Sequence, residues 1–203
     1  MRIPKHLGVI PDGNRRWAQA HGMAKSEGYP SGIQPGVDLV KEGLRLGIRE
    51  FTFYGFTAEN CGRPASQREA FISACVEAAK AVQQCGVSVR VIGDTKGKYF
   101  PEEMKSWTGP HKPDMPKVNL LMQYNWLWDV EGLRKEGNYR SADLPRMELV
   151  IRWGGRRRLS GFLPLQSAYS DIYVVDTLWP DYTNEELHAA LEWYDKQDVT
   201  MGG

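Results

Sequence analysis

Two short segments carry residues whose types and spacing suit chemistry on phosphates. Near the start, the apolar run from His6 to Ile10 leads into Pro11-Asp12-Gly13-Asn14-Arg15-Arg16-Trp17, and helical sequence follows from Arg15 to Ala20. A strand–loop–helix junction with a glycine aims unbonded backbone N–H groups and the positive helix end at one point. Arg15 and Arg16 add charge-assisted donors for phosphate oxygens. Asp12 would repel a phosphate unless a divalent cation bridges them, and Mg²⁺ is commonly held by one or two carboxylates together with substrate phosphates. A helix cap (Asp or Asn) followed by solvated arginines explains the same pattern without a ligand.

The second segment is Ile151-Arg152-Trp153-Gly154-Gly155-Arg156-Arg157-Arg158-Leu159-Ser160, with four arginines in seven positions at another strand end. Its two glycines let backbone approach a ligand closely, and Ser160 can donate to an anion or cap a helix. In a chain of net charge +1 this concentration is self-repelling unless an anion offsets it. A solvated basic turn or an RNA contact is the alternative, but the aromatic residues needed to stack single-stranded bases are sparse here. Two anion sites suggest two phosphorylated substrates joined by something mostly apolar. The helix after Pro64 supplies small apolar residues for that purpose, and core packing explains its apolar face equally well.

These segments need a scaffold, and 203 residues suit one α/β domain, taken as residues 1–203. With 26 basic against 25 acidic residues there is no whole-protein field for nucleic acid or an anionic membrane. No apolar run approaches the roughly 20 residues of a membrane-spanning helix, so no stable membrane insertion is expected. The opening residues are too soon interrupted for a signal peptide. Three cysteines without a CxxC pair point to a reducing, cytoplasmic compartment.

Strands are expected at His6 to Ile10, Phe51 to Phe56, Val87 to Ile92, Lys117 to Gln123 and Glu148 to Trp153. Gly36 to Leu46 has Val37, Val40 and Leu44 at helical spacing. Pro64 is placed as the first residue of a helix whose face is Phe71, Cys75, Ala78 and Val82. Asn184 to Tyr194 is a final helix, capped by Asp181 or Thr183. Tyr173 to Val175 with Leu178-Trp179 suits a buried strand or an interface. Lys96 to Pro116 is expected to be a loop or mobile flap. Strands alternating with helices imply a mainly parallel sheet covered on both faces, with ligands beyond the carboxyl ends of its strands. The four histidines lack metal-site spacing with the cysteines, which argues against zinc.

Four pieces in order, HLGVIPDGNRRWA, FTFYGFTAENCGRP, VRVIGD and VIRWGGRRRLSGFLPLQSAYSDIYVVDTLWPDY, resemble the cis-prenyltransferases, relatives of undecaprenyl diphosphate synthase. The resemblance implies an α/β domain with a parallel sheet, a homodimer, and an apolar tunnel for the prenyl chain. It implies that Asp12 works with Mg²⁺ and an allylic diphosphate, cradled by Gly13, Asn14, Arg15 and Arg16 with Trp17 and Tyr29 nearby. Arg152, Arg158 and Ser160 match residues that hold the second, homoallylic substrate's diphosphate. Asp171 matches an acidic metal partner. Asn60 and Arg63, with Phe56 and Thr57 beside them, match positions close to the reacting carbons.

The sequence departs from the family pattern around this site. Arg15 replaces a glycine, and Glu27 and Tyr29 fall where the family has an apolar or aromatic residue and a histidine. Cys61 replaces a tryptophan, Arg156 replaces a glutamate, and Gln123 to Leu127 replaces a tyrosine–glycine–glycine–arginine motif. The chain is shorter between Trp128 and Leu149, and Val199 to Gly203 lacks the family's arginine-rich tail. Trp126 and Trp128 are expected to narrow the pocket. The departures resemble those of the lavandulyl and cyclolavandulyl diphosphate synthases, which join two dimethylallyl diphosphates head-to-middle. The narrowed pocket and the trimmed helix after Pro64 imply a short product, C10 to C15. Regular short-chain elongation with isopentenyl diphosphate, or a catalytically silent partner subunit, are the other possibilities.

Overall fold

Apolar and β-branched runs form six strands that all pair in parallel in the computed structural model, which describes residues 1–198. In chain order the elements are β1 (His6–Ile10), α1 (Asn14–Ala20), α2 (Gly28–Ser31), α3 (Ile33–Leu46), β2 (Glu50–Tyr54), α4 (Ala65–Gln83), β3 (Ser88–Ile92), β4 (Lys117–Leu121), α5 (Trp126–Glu136), β5 (Leu149–Arg152), β6 (Asp171–Val174) and α6 (Asn184–Asp195). The sheet order is β3-β4-β2-β1-β5-β6. The chain therefore builds outward from β1 on one side, then returns to place β5 on the other. The crevice beyond the carboxyl ends of β1 and β5 is the switch point, where open parallel sheets bind ligands. Register puts Ile10 beside Arg152, so both phosphate-type segments leave the sheet at this point.

All five residues of β1 are buried, as expected of a central strand covered on both faces. One core joins Leu7, Val9, Phe51 and Phe53 to Val40 of α3, Val76 and Ala79 of α4, and Leu187 and Leu191 of α6. The other packs Ile10, Leu121 and Val150 against Met147, Phe162 and Leu163.

Several boundaries differ from the sequence expectation. β2 ends at Tyr54, so Gly55 and Phe56 belong to the loop after it. Pro64 is the extended residue preceding α4 (ψ 147°), not its first helical residue. Helix α5 was not foreseen; Asn125 caps it by accepting from the Leu127 and Trp128 N–H groups at 2.8 and 3.4 Å. Thr183 is the residue that caps α6, its N–H donating to the Glu186 carboxylate at 3.2 Å. The stretch from Lys96 to Pro116 is pinned to the core rather than a flap, because Phe100 and Met104 are buried. Residues 199–203, which include the tail, lie outside the described residues.

A polar network ties the opposite, amino ends of the strands together. His6 Nδ1 lies 3.1 Å from the Pro145 carbonyl and Nε2 lies 2.7 Å from Thr52 Oγ1. A carbonyl only accepts, so the proton sits on Nδ1 and the Thr52 hydroxyl donates to Nε2. Asn119 Nδ2 donates to Glu50 at 2.9 Å and to Thr52 at 3.1 Å, and its oxygen accepts from His111 Nε2 at 2.8 Å. His111 Nδ1 then accepts from the Ser88 hydroxyl at 3.1 Å. Burial holds both histidines below their ordinary pKa of 6.5. The unfolded chain therefore takes up protons first, and stability is lost as pH falls from about 6.5 toward the folded-state values. Urea unfolding at pH 7.5 and 5.5 should show that loss. His111→Gln should cost about 1 kcal/mol at pH 7.5 and lose less on acidification; an unchanged pH dependence would exclude His111 as a contributor.

Candidate active site

The site grows from one buried guanidinium. Arg152 ends β5 with its side chain only 6% exposed, and Asp12, just past β1, is 32% exposed. Arg152 Nη2 donates to Asp12 Oδ2 at 2.8 Å; Nη1 donates to Ser160 Oγ at 3.1 Å and to the Arg158 carbonyl. Arg16 lies 3.4 Å from the other Asp12 oxygen and donates to the Gly154 carbonyl at 2.9 Å. These bonds lace the loop after β1 to the loop after β5. Backbone bonds reinforce the seam, from Trp153 to Ile10, Trp179 to Asp12 and Gly154 to Thr177. Glycine is required at 154, where φ is +84° and a Cβ would lie 2.8 Å from the Asp12 carbonyl.

Around this frame lies an arginine-lined cleft formed by Pro11 to Arg16, Tyr29, Arg63, Phe71, Arg156 and Arg158. Asp12 is its one acidic residue. Arg63 donates to the Tyr29 hydroxyl at 2.9 Å, and the Tyr29 ring stacks on Phe71 at 4.6 Å with the planes 7° apart. Burial is the largest cause lowering the Arg63 pKa, and the Arg15 charge pushes the same way. Arg15 reaches Gln67 of α4 at 3.3 Å. Helix α2 packs so closely that a Cβ on Gly28 would lie 2.0 Å from the Asn14 carbonyl, which excludes any larger residue there.

An apolar cavity adjoins the cleft and shares Pro11, Asn14, Tyr29 and Phe71 with it. Its walls include Gly36 of α3, Phe53 of β2, and Ala74, Cys75, Ala78 and Val82 of α4, with Trp179 alongside. The non-atom space, open mouth included, is about 670 Å³. Burial pushes the Cys75 thiol up to about 12, so it is a wall residue and not a nucleophile.

Of the residues singled out by sequence, Asp12, Gly13, Asn14, Arg15, Arg16, Tyr29, Arg63 and Arg158 share this cleft. Arg152 and Ser160 join it through the bonds above. Thr57 and Asn60 lie in the turn leading to Arg63, where the Thr57 N–H donates to Asn60 Oδ1 at 3.0 Å. Phe56 is fully buried, edge-on to Phe71. Trp17 turns away, donating to Asp181 at 2.6 Å and stacking on His21. Asp171 opens β6 at the far end of the sheet, paired in register with Leu149 and 3.7 Å from Arg2. The chain thus does not bring Asp171 to Asp12. Trp126 and Trp128 do not line the apolar cavity; Trp126 packs on Gly161, and Trp128 stands edge-on to Tyr124. Arg156 and Phe71 were not among the expected site residues, although Arg156 stood within the arginine run. Tyr54 was also missed: its hydroxyl donates to the Ser160 carbonyl at 2.7 Å, holding a residue whose φ is +55°.

Among the described residues no group of three His, Cys, Asp or Glu could hold a metal. The cleft does offer the Asp12 carboxylate, while the Asn14 amide oxygen, buried without a partner, lies against Gly32. A single hard carboxylate suits a cation that keeps water and takes its remaining ligands from substrate phosphates.

The undecaprenyl diphosphate synthase model of the prenyltransferase family matches residues 10–202. The chain belongs to this family. An isoprenyl transferase of Thermotoga maritima is 32% identical over 231 positions, covering 100% of this chain and 98% of that one. A ditrans,polycis-undecaprenyl-diphosphate synthase of Pectobacterium atrosepticum, specific for (2E,6E)-farnesyl diphosphate, is 30% identical over 98% and 90%. Spreading 203 residues over 231 positions requires gaps, consistent with a shortened member. The crystal structure of lavandulyl diphosphate synthase from Lavandula x intermedia, in complex with dimethylallyl diphosphate, shares the fold with a TM-score of 0.83 over 98% of each chain at 22% identity. The prenyltransferase family and the parallel-sheet fold that the sequence pieces implied are thereby established.

The Asp12–Arg152 pair gives a direct test of the frame. Asp12→Asn keeps the shape and removes the charge opposite a buried guanidinium, and unfolding free energy in urea should fall by about 1–3 kcal/mol. Wild-type stability in the variant would mean that the pair does not hold the two loops.

Proposed function

We propose that this prenyltransferase condenses two short prenyl diphosphates, joining two dimethylallyl diphosphates head-to-middle into a lavandulyl- or cyclolavandulyl-type C10 diphosphate. The observation that carries this reading is the passage between cleft and cavity. There the Tyr29–Phe71 stack, fixed by the Arg63 bond, borders both compartments, which on this reading is where a prenyl chain would leave its diphosphate. A fixed aromatic pair at that point favours a short tail over a lengthening one. The fold shared with lavandulyl diphosphate synthase, and the dimethylallyl diphosphate bound in that protein, are in keeping with it.

The chain's own groups supply the chemistry as follows. The Gly13 to Arg16 loop, with Arg63, binds the allylic diphosphate oxygens and gathers its leaving charge. Mg²⁺ held by Asp12 and the diphosphate would add further positive charge to the leaving group. The allylic C–O bond breaks with its electron pair on the diphosphate oxygen. The alkene of the second substrate, placed by Arg152, Arg158 and Ser160, donates its π electrons to the allylic carbon. Asn60, Thr57 and Arg63 border the reacting carbons, and the apolar walls keep water from the cation. Loss of a proton completes the step.

Regular cis elongation with isopentenyl diphosphate is the second reading, favoured by the 30–32% identity to curated isoprenyl transferases. A silent subunit is disfavoured because Asp12, Asn14, Arg16, Arg152, Arg158 and Ser160 are all retained. We take the protein to act as a homodimer, with exposed Leu165, Tyr169 and Ile172 near the open β6 edge as contact residues. Three free cysteines suit a cytoplasmic setting, and no helix among the described residues is long and apolar enough to cross a membrane.

Mass spectrometry of products formed with Mg²⁺ separates the readings. A C10 diphosphate from dimethylallyl diphosphate alone is the expected result. Product only when isopentenyl diphosphate is added would make the enzyme a regular elongating one. Asp12→Ala should lower turnover at least about a hundredfold; no product from any prenyl diphosphate with the wild type would leave only the silent subunit.

A further inference from the structure

Arg63 reaches the cleft from the end of a short turn, Ala58–Gly62, which also carries Asn60. A connection between a strand and a helix is ordinarily among the more mobile parts of a domain, yet this one is tied down at both ends. At its start the Ala58 N–H donates to the Tyr124 carbonyl at 3.0 Å, and Asn125 Nδ2 donates to Glu59 at 2.9 Å. At its far end Arg68 of α4 folds back, its Nη1 donating to the Arg63 carbonyl at 3.0 Å with the Cys61 carbonyl 3.5 Å away. The Arg63 N–H is bonded to the Asn60 carbonyl at 3.1 Å, so the Arg63 backbone is held on both sides.

Arg68 is itself backed by a ring. Its guanidinium carbon lies 4.4 Å from the Tyr99 ring centroid, a cation–π contact that leaves the planar donors aimed at the turn. Gln123, beyond β4, fixes Tyr99 in turn: its Oε1 accepts from the Tyr99 N–H at 2.8 Å. Gln123 has a left-handed φ of +49°, and a Cβ on Gly97 would lie 1.8 Å from its Nε2. A non-glycine residue keeps such a conformation only where its surroundings over-determine it. At the other end of this path Arg63 donates to the Tyr29 hydroxyl and sits 5.3 Å over the Phe71 ring. It therefore steadies both rings of the stack shared by cleft and cavity.

We propose that Gln123, Tyr99 and Arg68 form a brace that positions Arg63, and through it the Tyr29–Phe71 stack, so that the brace sets how long an allylic tail the cavity accepts. None of the three lines the cleft or the cavity, so they are positioning residues. The inference rests on the short-chain prenyl-transfer reading of the site and deepens it. Removing the Arg68 side chain frees the Arg63 carbonyl, Arg63 loses its fixed reach to Tyr29, and the stack can shift to admit a longer tail.

Competition between dimethylallyl and deuterated geranyl diphosphate, with Mg²⁺ and isopentenyl diphosphate present, tests the brace through the initial ratio of C10 to deuterated C15 products. A ratio does not depend on the fraction of enzyme that is folded. The wild type should favour C10, and Arg68→Ala and Tyr99→Leu should each shift the ratio toward C15 at least about tenfold. Tyr99→Phe keeps the ring face and should match the wild type. A ratio within about twofold of wild type in Arg68→Ala, with product formed, would overturn length selection by the brace. Hydrogen exchange over residues 57–64 needs no turnover. It should quicken about tenfold in Arg68→Ala and Tyr99→Leu, with β1 and α3 unchanged and Tyr99→Phe like wild type. Unchanged exchange in Arg68→Ala would overturn the brace itself. Faster exchange in that variant, with no product from the wild type and any prenyl diphosphate, would uphold the brace and overturn the prenyl-transfer reading together with length selection.

Discussion

The buried Arg152 guanidinium is the constraint from which the site follows. Removing such a group from water costs more than one hydrogen bond returns, so several acceptors must converge on it. Asp12 comes from the loop after β1, while Ser160 and the Arg158 carbonyl come from the loop after β5. Neither loop can move independently without stranding the charge. The segment curls back to deliver these acceptors through positive φ angles at Gly154, Gly155, Ser160 and Gly161. Strain at the non-glycine Ser160, of order 1–3 kcal/mol, is offset by the guanidinium bonds and by the Tyr54 hydroxyl on its carbonyl. The position of the frame is dictated by topology, because β1 and β5 are neighbours only where the sheet order reverses.

A second property follows from placing this frame next to α3 and α4. The cleft is lined by guanidiniums and the adjoining cavity by small apolar residues, and the two share a border at Asn14, Tyr29 and Phe71. A ligand that satisfies both must have a dianionic or more highly charged head and a hydrocarbon tail. Neither compartment alone would select it. Tyr29 belongs to both sides: its ring stacks in the apolar wall while its hydroxyl accepts from Arg63 at the polar rim. A histidine, the residue the family resemblance places here, has no comparably large apolar face to offer Phe71.

How much of this was legible in the sequence depended on whether the signal was local. β1, α3, α4 and the arginine run at β5 were visible because periodicity, Pro64, glycines and charge density act over a few residues. α5 was not, since its face is split between Trp126, exposed at 42%, and the buried Asp129, whose carboxylate is satisfied by Tyr124 and Ser141. The same non-local logic hid the orientation of Trp17, which a partner 164 residues away turns outward. Asp171 matched a family motif by spacing, yet parallel register carries it to the amino end of β6, away from Asp12. Tyr54 looked like one more strand aromatic, and only tertiary structure shows its hydroxyl holding Ser160.

The departures from the family pattern are distributed in a way that the frame explains. Asp12 cannot vary without leaving the buried Arg152 charge unpaired, so on the proposed reading the handling of the diphosphate ester is tied to residues that folding also requires. Arg15 and Arg156 line the cleft outside that pairing, where substitution changes charge and shape without breaking it. Trp126 lies against Gly161, one residue from Ser160, and so alters the wall beside the residue expected to hold the second substrate. Tyr29 and Phe71 limit the other side. On the proposed reading, a chain whose frame is fixed by stability and whose rim is free to change would alter which alkene attacks, and how long its product grows, while keeping the same leaving-group chemistry.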